Sequence, residues 1–379
     1  MTKQLKVDSV VNLAGSGKPN FPVSPTSGGA ALSTLNTHSY TSSATEPSSP
    51  KNGAIWWDSA NSKVYVYANG EFKEITLNTD YPSAYSANNP WSGDRGVITG
   101  ESFTNYEIQY FNIASTSNAA DFGNLSLTRS FKLGSCGSST RGTFAGGYAS
   151  SARRDEIDYI THSTTGNATD FGNLSVARSY GSGCANGTRG LYAGGINSSG
   201  NYINTVDYIT IANTGNATDF GDMSGTNYGR LGSGNDATRA VFGGGLGGGA
   251  SNTIDYFTFA SAGNATDFGD FLSTQNDMQG CSDETRIVFG GNAGGSNVLQ
   301  YLTTQSTGNA TDFGDLTVNL DGAAGVANST KGVFAGGIKP NNPANNLEII
   351  TIQTTGNAAD HGDLAEAMSY PVACSGAAS

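Results

Sequence analysis

Charge is scarce in this chain. Only 13% of its 379 residues are charged, with 19 Lys and Arg against 31 Asp and Glu. So thin a supply leaves no polar faces for a set of amphipathic helices, which need them opposite an apolar stripe. Residues 1–82 carry six acids and six lysines, so the whole net charge of −12 falls on residues 83–379, with 25 acids and 13 bases. A surface of that sign repels a phosphate backbone, and nucleic acid is excluded as a partner.

Histidine, cysteine and long apolar runs are equally sparse. The three histidines, His38, His162 and His361, have no metal-ligand spacing and stand near no nucleophile signature. No cofactor, metal or catalytic constellation is therefore expected, and the chain reads as a non-enzyme. The four cysteines, Cys136, Cys184, Cys281 and Cys374, share one position of an internal repeat. Equivalent positions in different repeats are too far apart for most pairs to bridge. They read as small buried thiols. No apolar run approaches the roughly 18 residues that cross a bilayer, and Met1–Leu13 has no signal-peptide core, so membrane insertion is not expected.

What the chain has is glycine, 53 of them, together with much Ser, Thr and Asn. These residues suit short strands joined by tight turns, because they tolerate the positive φ that hairpins need. One phrase, Asn-Ala-Ala/Thr-Asp-Phe/His-Gly, occurs at Asn118–Gly123, Asn167–Gly172, Asn216–Gly221, Asn264–Gly269, Asn309–Gly314 and Asn357–Gly362. Its aspartates are 49, 49, 48, 45 and 48 residues apart, a period that marks repeated structural units.

The third unit shows the internal pattern. A small-residue strand at Arg178–Ala185 is followed by Arg189–Gly195, which ends in a double glycine. Thr205–Ala212 then alternates apolar and polar residues, Asn213–Asn216 turns the chain, and Ala217–Met223 forms a fourth strand. Four antiparallel strands per unit make a propeller blade. Second, third and fourth strands occur six times, but the inner strand of the first unit is missing from its place. The C-terminal Ser369–Gly376 (SYPVACSG) matches the inner strand Ser179–Ala185 (SYGSGCA), and is expected to complete the first blade as a clasp. The sequence therefore predicts an all-β fold, a six-bladed propeller closed by the C-terminal strand. With its double glycines at Gly146–Gly147, Gly194–Gly195, Gly243–Gly245, Gly290–Gly291 and Gly336–Gly337, the layout resembles the kelch repeat family. That resemblance implies architecture and no chemistry, since such propellers host binding modules and enzymes alike.

Two repeated polar positions read as scaffold. A base recurs at Arg95, Arg141, Arg189, Arg239, Arg286 and Lys331, and is expected to pair with the repeated aspartate. The repeated Asn is expected to form an Asx-turn at its hairpin. The Asp-Phe-Gly element partly resembles the sialidase Asp-box, without its flanking Ser and Trp. A sialidase-like glycosidase is the enzyme to weigh against a binding role, and no paired carboxylates depart from the repeat to supply it.

Residues 1–82 differ in character. Residues 1–50 read as an extended arm, and residues 51–82 as a small three-stranded aromatic module that needs a partner to bury Trp56, Trp57, Tyr65, Tyr67 and Phe72. The propeller takes residues 83–379. The pattern Pro-x-x-Gly-x-x-Trp-x-Asp-x-x-x-x-Lys-x-Tyr-Val-Tyr resembles the small β-modules of bacteriophage tail fibres, and the leader Val7–Pro22 resembles N-terminal segments of phage structural proteins. The resemblance implies a virion location in a tail or appendage. The arm would be anchored to other virion proteins, with Val7, Val10, Val11, Leu13, Phe21, Trp56 and Trp57 as anchoring residues. It also implies a head that binds host glycan or outer-membrane protein, or else a purely structural neck, tail or capsid-decoration subunit. A homotrimer is common among tail fibres, though no heptads support one here. The loops after the double glycines vary most, and Arg153, Arg154, Tyr202, Lys339 and Asn341 are the candidate ligand-binding residues.

Overall fold

A computed structural model shows a chain in which every regular element among the described residues is a β-strand. The structure describes residues 93–377, apart from 102–106, 131–133, 226–228, 230, 248 and 341. Before these it describes 26–27, 30–31, 40–43, 45–50, 54–58, 63–68 and 71–74. The chain divides into two compact units, Met1–Pro82 and Ser83–Ser379.

The smaller unit holds a four-stranded sheet in the order Tyr40–Ser43, Ile55–Asp58, Lys63–Ala68 and Glu71–Glu74. The sequence predicts three strands; the fourth comes from the arm and pairs parallel to Ile55–Asp58. Its effect is on Trp56, which is buried within the chain and needs no partner to cover it. The Trp56 ring stacks on Tyr65 at 4.9 Å, meets Phe72 at 5.4 Å, and donates its Nε1–H to the Ser43 carbonyl at 3.1 Å. The buried indole thus meets both its apolar and its polar requirement.

The larger unit is a propeller-like arrangement of sheets. Repeats 2 to 5 each form a separate four-stranded antiparallel sheet. Repeat 2 is typical, with Gly134–Gly137, Arg141–Ala145, Glu156–Thr161 and Thr169–Asn173 running from the inner strand outward. Repeats 6 and 1 are instead fused into one larger sheet through the 18-residue strand Ala359–Gly376. The first part of that strand pairs with Asn342–Thr351, and its last part, Ser369–Gly376, pairs with Arg95–Glu101. The C-terminal segment thus supplies the inner strand that repeat 1 lacks. The inner strands contact one another in sequence around a closed circle, the C-terminal one returning to Gly134–Gly137.

The signature is what joins each repeat to the one before it. The Asn167 side chain accepts a hydrogen bond from the backbone N–H of Asn124 at 3.1 Å, and Asn216, Asn264, Asn309 and Asn357 do the same to repeats 2 to 5. Asn118 closes the circle on Asp363 at 3.1 Å. These asparagines reach across to a neighbour, where the sequence suggests a local Asx-turn. Backbone bonds flank each one: Gly215 donates to the Phe171 carbonyl and Ala217 to that of Asn173. The approach is so close that a Cβ on Gly221, at φ +147, would run into the Gly263 carbonyl of the next repeat. The signature Phe fills the space behind; Phe122, Phe171, Phe220, Phe268 and Phe313 are all buried. The signature aspartates are exposed.

The repeated base does not pair with that aspartate. Arg95, Arg141, Arg189, Arg239 and Arg286 lie over the third-strand tyrosines Tyr110, Tyr159, Tyr208, Tyr256 and Tyr301, at 4.2 to 4.8 Å from the ring centres. Each also donates to a carbonyl of the following repeat, as Arg239 does to Thr304 at 2.9 Å. Stacking holds the planar guanidinium while its fork stays free to donate, a combination that an exposed carboxylate cannot match. Repeat 6 has Lys331 and Ile349 in these places, and Lys331 still donates to the Ala114 carbonyl at 3.1 Å.

The four thiols are free and buried, as expected. Burial pushes the Cys281 and Cys374 thiols up to about 12. Cys136 and Cys281 sit against Gly190 and Gly332 of the next repeat, and Cys374 against Gly142, whereas Gly234 faces Ile287. Small meets large at this joint, so volume is conserved across repeats.

His162 directly follows the third strand of repeat 2, where repeats 1, 3 and 4 carry Ile113, Ile211 and Phe259. It is fully buried against the C-terminal clasp: a Cβ on Gly376 would overlap its ring. Burial pushes its pKa down to about 4, against a hydrogen bond with the Arg141 backbone, and the nearby Arg95 charge adds to the downward shift.

Two predictions follow from these joints. Gly221→Ala should cost roughly 1–3 kcal/mol through overpacking. Gly263→Ala, where a Cβ meets nothing, should be close to neutral. Chemical denaturation of the two variants checks the contrast. For His162, the unfolded chain binds a proton that the folded chain refuses between its ordinary pKa of 6.5 and about 4. Its contribution is therefore fully present above pH 6.5 and falls as the pH drops towards 4, by up to about 1.4 kcal/mol per pH unit. His162→Ile should flatten that part of the stability-versus-pH curve.

Candidate functional site

Antiparallel pairing places three features at one end of every sheet: the start of the inner strand, the loop after the double glycine and the end of the fourth strand. Each loop is tied to the segment leading into its own inner strand, as Tyr148 is to Ser130, Ile196 to Ser179, Leu246 to Gly229 and Ile338 to Asp321. The variable loops therefore rim one mouth of the ring, and at this face the repeats differ most.

Four of the candidate ligand-binding residues, Arg153, Arg154, Tyr202 and Lys339, lie in or beside these loops. Tyr148–Ala149 and Ala152–Arg153 form a hairpin whose turn residues, Ser150 and Ser151, have φ of 50° and 63°. Arg153 donates from Nε to the Ser179 hydroxyl at 3.2 Å, so it braces the neighbouring inner strand. Arg154 lies 3.9 Å from Glu156, with both side chains partly exposed. Tyr202 pairs by its backbone with Ile196, and its ring occupies the space a side chain at Gly229 would need. Lys339 lies in the short strand pair with Asn342. Asn341 falls outside the described residues, as do the arm positions Val7, Val10, Val11, Leu13 and Phe21. Of the two tryptophans, Trp56 is an internal packing residue, and the Trp57 backbone pairs with Ser42 and Val64. Arg153 and Tyr202 are each brought against the segment that leads into an inner strand, at Ser179 and Gly229.

Two sets of residues here were not singled out from sequence. The first is a buried polar position on each third strand: Gln109, Asp158, Asp207, Asp255, Gln300 and Glu348. Each side chain accepts a backbone N–H from the linker that precedes its repeat, as Asp207 does from Ser175 at 3.1 Å and Gln300 from Leu272 at 3.0 Å. In repeats 2 and 3 the linker adds an arginine. Arg129 meets Asp158 at 2.7 Å and Arg178 meets Asp207 at 2.6 Å, all four side chains being buried. Burial lowers both guanidinium pKa values, and the aspartates oppose the shift. In repeats 1, 5 and 6 the linker positions equivalent to Arg129 and Arg178 in sequence are Met368, Gln275 and Leu320. Glu348 is pushed above the usual carboxylate range by burial, against hydrogen bonds from Thr317. Arginine thus appears beside two of the buried aspartates and is replaced by an uncharged residue beside both glutamines.

The second set lies at the start of the inner strands. Tyr180, Asp277 and Gly322 each stand two residues before the first paired inner-strand residue, and Tyr370 stands two before Val372, just past the Ser369–Glu101 pair; their φ values are 58°, 61°, 65° and 45°. The ring centres of Tyr180 and Tyr370 are 6.4 Å apart at 78°. The sequence signal was the Ser-Tyr shared by SYGSGCA and SYPVACSG, which matters here for more than the clasp.

Beneath this mouth the inner strands enclose a space of about 70 Å³, lined by Ser135, Ser233, Asn235, Gln279, Ser282, Ser375 and small apolar residues. Ser182 donates to Ser233 at 2.9 Å and Ser375 to the Ala327 carbonyl at 2.5 Å, so the polar lining ties neighbouring repeats together. Among the described residues, no group of three His, Cys, Asp or Glu is placed to hold a metal ion.

No protein-family model matches this chain, and no curated protein matches it. The site is therefore read from its own residues.

Arg178→Leu strands a buried charge on Asp207 and should cost roughly 3–5 kcal/mol. Adding Asp207→Gln, which copies the uncharged pairing of repeats 1 and 5, should recover most of that loss. Equilibrium unfolding of the single and double variants measures the difference.

Proposed function

We propose that the larger unit is a six-bladed, kelch-like propeller acting as a rigid binding head, in a phage virion appendage held by its N-terminal region. The count of six takes the fused sheet as two blades sharing the strand Ala359–Gly376, a reading supported by the change of partner part-way along that strand. The virion reading is supported by the resemblance of the aromatic module and leader to phage structural proteins. The observation that carries the binding role is the contrast between the two ends of the blades. At one end every repeat uses the same signature for the same inter-blade bonds. At the other, loop length, charge and aromatic content change from blade to blade. A constant scaffold presenting variable loops is the arrangement expected of recognition.

A purely structural virion subunit is the second reading. It is favoured by Leu272 and Val298, exposed by 53% and 38%, which flank Gln300 at the edge between repeats 4 and 5. Apolar side chains at one edge suit packing against a neighbouring subunit.

The test is to apply the purified, labelled full chain to a panel of intact bacteria. Binding head chemistry predicts saturable binding to particular strains that is unaffected by Leu272→Asp. No binding to any strain, with loss of incorporation into particles by Leu272→Asp, would establish the structural reading instead.

A further inference from the structure

Left-handed backbone at a tyrosine needs a reason. The β-carbon of a bulky residue clashes in that region, at a cost of order 1–3 kcal/mol, and glycine removes the clash. The same register position in repeat 6 is Gly322, with φ 65°, so the fold accommodates glycine there. Repeat 5 has Asp277, a residue type that tolerates this conformation and is fully buried here. Repeats 3 and 1 instead carry Tyr180 and Tyr370, both only half-buried.

The two tyrosines come from repeats that are not neighbours, with repeat 2 between them, yet their rings meet at 6.4 Å. They therefore lean towards each other over the mouth. Surrounding residues make room: a Cβ on Gly322 would lie 2.6 Å from the Tyr370 ring, and Gly181 follows Tyr180 directly. Pro371 fixes the chain just after Tyr370, in the irregular stretch between Ser369 and Val372. The inner-strand residues that follow are small and uncharged, with Ser182, Gly183 and Ala373 among them.

We infer that Tyr180 and Tyr370 form a carbohydrate-stacking site at the mouth of the ring, taking one pyranose of a surface polysaccharide. This rests on the binding reading above and gives it a place. One ring face covers the apolar C–H side of a sugar, the second ring, set at 78°, flanks its edge, and the phenol groups hydrogen-bond to hydroxyls. Two aromatic side chains among glycines are enough for a sugar ring and far too little for a protein interface, which buries roughly 800 Å² per partner.

Tyr180→Gly and Tyr370→Gly test this, because each removes the side chain and the strain together. The probes are an array of bacterial O-antigen and capsular polysaccharides and a panel of intact bacteria, with the full chain as wild type, as each Tyr→Gly variant and as Gly263→Ala, at the opposite end of the blades, where a Cβ meets nothing. The expected result is polysaccharide binding by wild type and Gly263→Ala, weakened at least tenfold in both Tyr→Gly variants, whose thermal midpoints hold or rise. If the Tyr→Gly variants bind the polysaccharide as wild type does, or lose binding only as their midpoints fall, the tyrosines are scaffold and the site is refuted while the binding head stands. If wild type binds cells but no polysaccharide, the carbohydrate assignment falls and a protein receptor takes its place. If it binds neither, the binding reading falls as well.

Discussion

The rest of the larger unit depends on the joint between one signature and the next. Each repeat docks its third-to-fourth-strand turn on the fourth strand of its predecessor, through an Asn side chain and two backbone hydrogen bonds. The joint tolerates no side chain at the signature glycine, because the neighbouring carbonyl occupies that place. A propeller blade exposes a backbone edge and two apolar faces, and none of these is stable in water alone. Docking in series covers the faces. Only closure covers the first and last repeats, and for this the chain uses one strand in two sheets. Asn118 on Asp363 and Lys331 on Ala114 then repeat, across the closure, the joints found elsewhere, and Asn328 adds a side-chain bond to Asp94.

Around that joint the repeats vary in compensated pairs. A cysteine or a glycine on one inner strand is matched by glycine or isoleucine on the next second strand. Arginine over tyrosine in five repeats gives way to Lys331 and Ile349 together in the sixth. Buried aspartates in two repeats have arginine partners, and buried glutamines do not. Each exchange keeps volume or charge constant at one contact, which is the condition for a repeat to drift in sequence without losing its stacking. Three residues stand outside this compensation. His162 puts a buried imidazole against the clasp, and the left-handed Tyr180 and Tyr370 put strain at the mouth.

Strand order, the period and the clasp were legible in the sequence because each is written in a pattern of residue types: alternation for strands, glycine for turns, and a C-terminal phrase matching inner strands. The arginine position was legible as scaffold, but its partner was not. Sequence spacing put Arg141 and Asp170 in the same repeat, whereas the guanidinium prefers the Tyr159 face and the Ile211 carbonyl of the next repeat, a contact that exists only after stacking. The same holds for Arg178 and Asp207, 29 residues apart and joined only when the linker folds across the next repeat. In the smaller unit, the strand Tyr40–Ser43 has too little apolar alternation to be read as one, and it forms by parallel pairing to the strand carrying Trp56.

The sequence by itself determined that this protein is all-β, that one signature recurs six times along it, and that its C-terminal segment returns to its first repeat. Local propensity and periodicity carry that much, because each unit is short and its turns are marked. Tertiary structure decided which polar groups hold the repeats together, that repeats 6 and 1 share one continuous strand, and that two tyrosines from separate repeats meet over the mouth. Those outcomes depend on the angle and distance between blades, set by packing across the ring, and no local stretch of sequence encodes them.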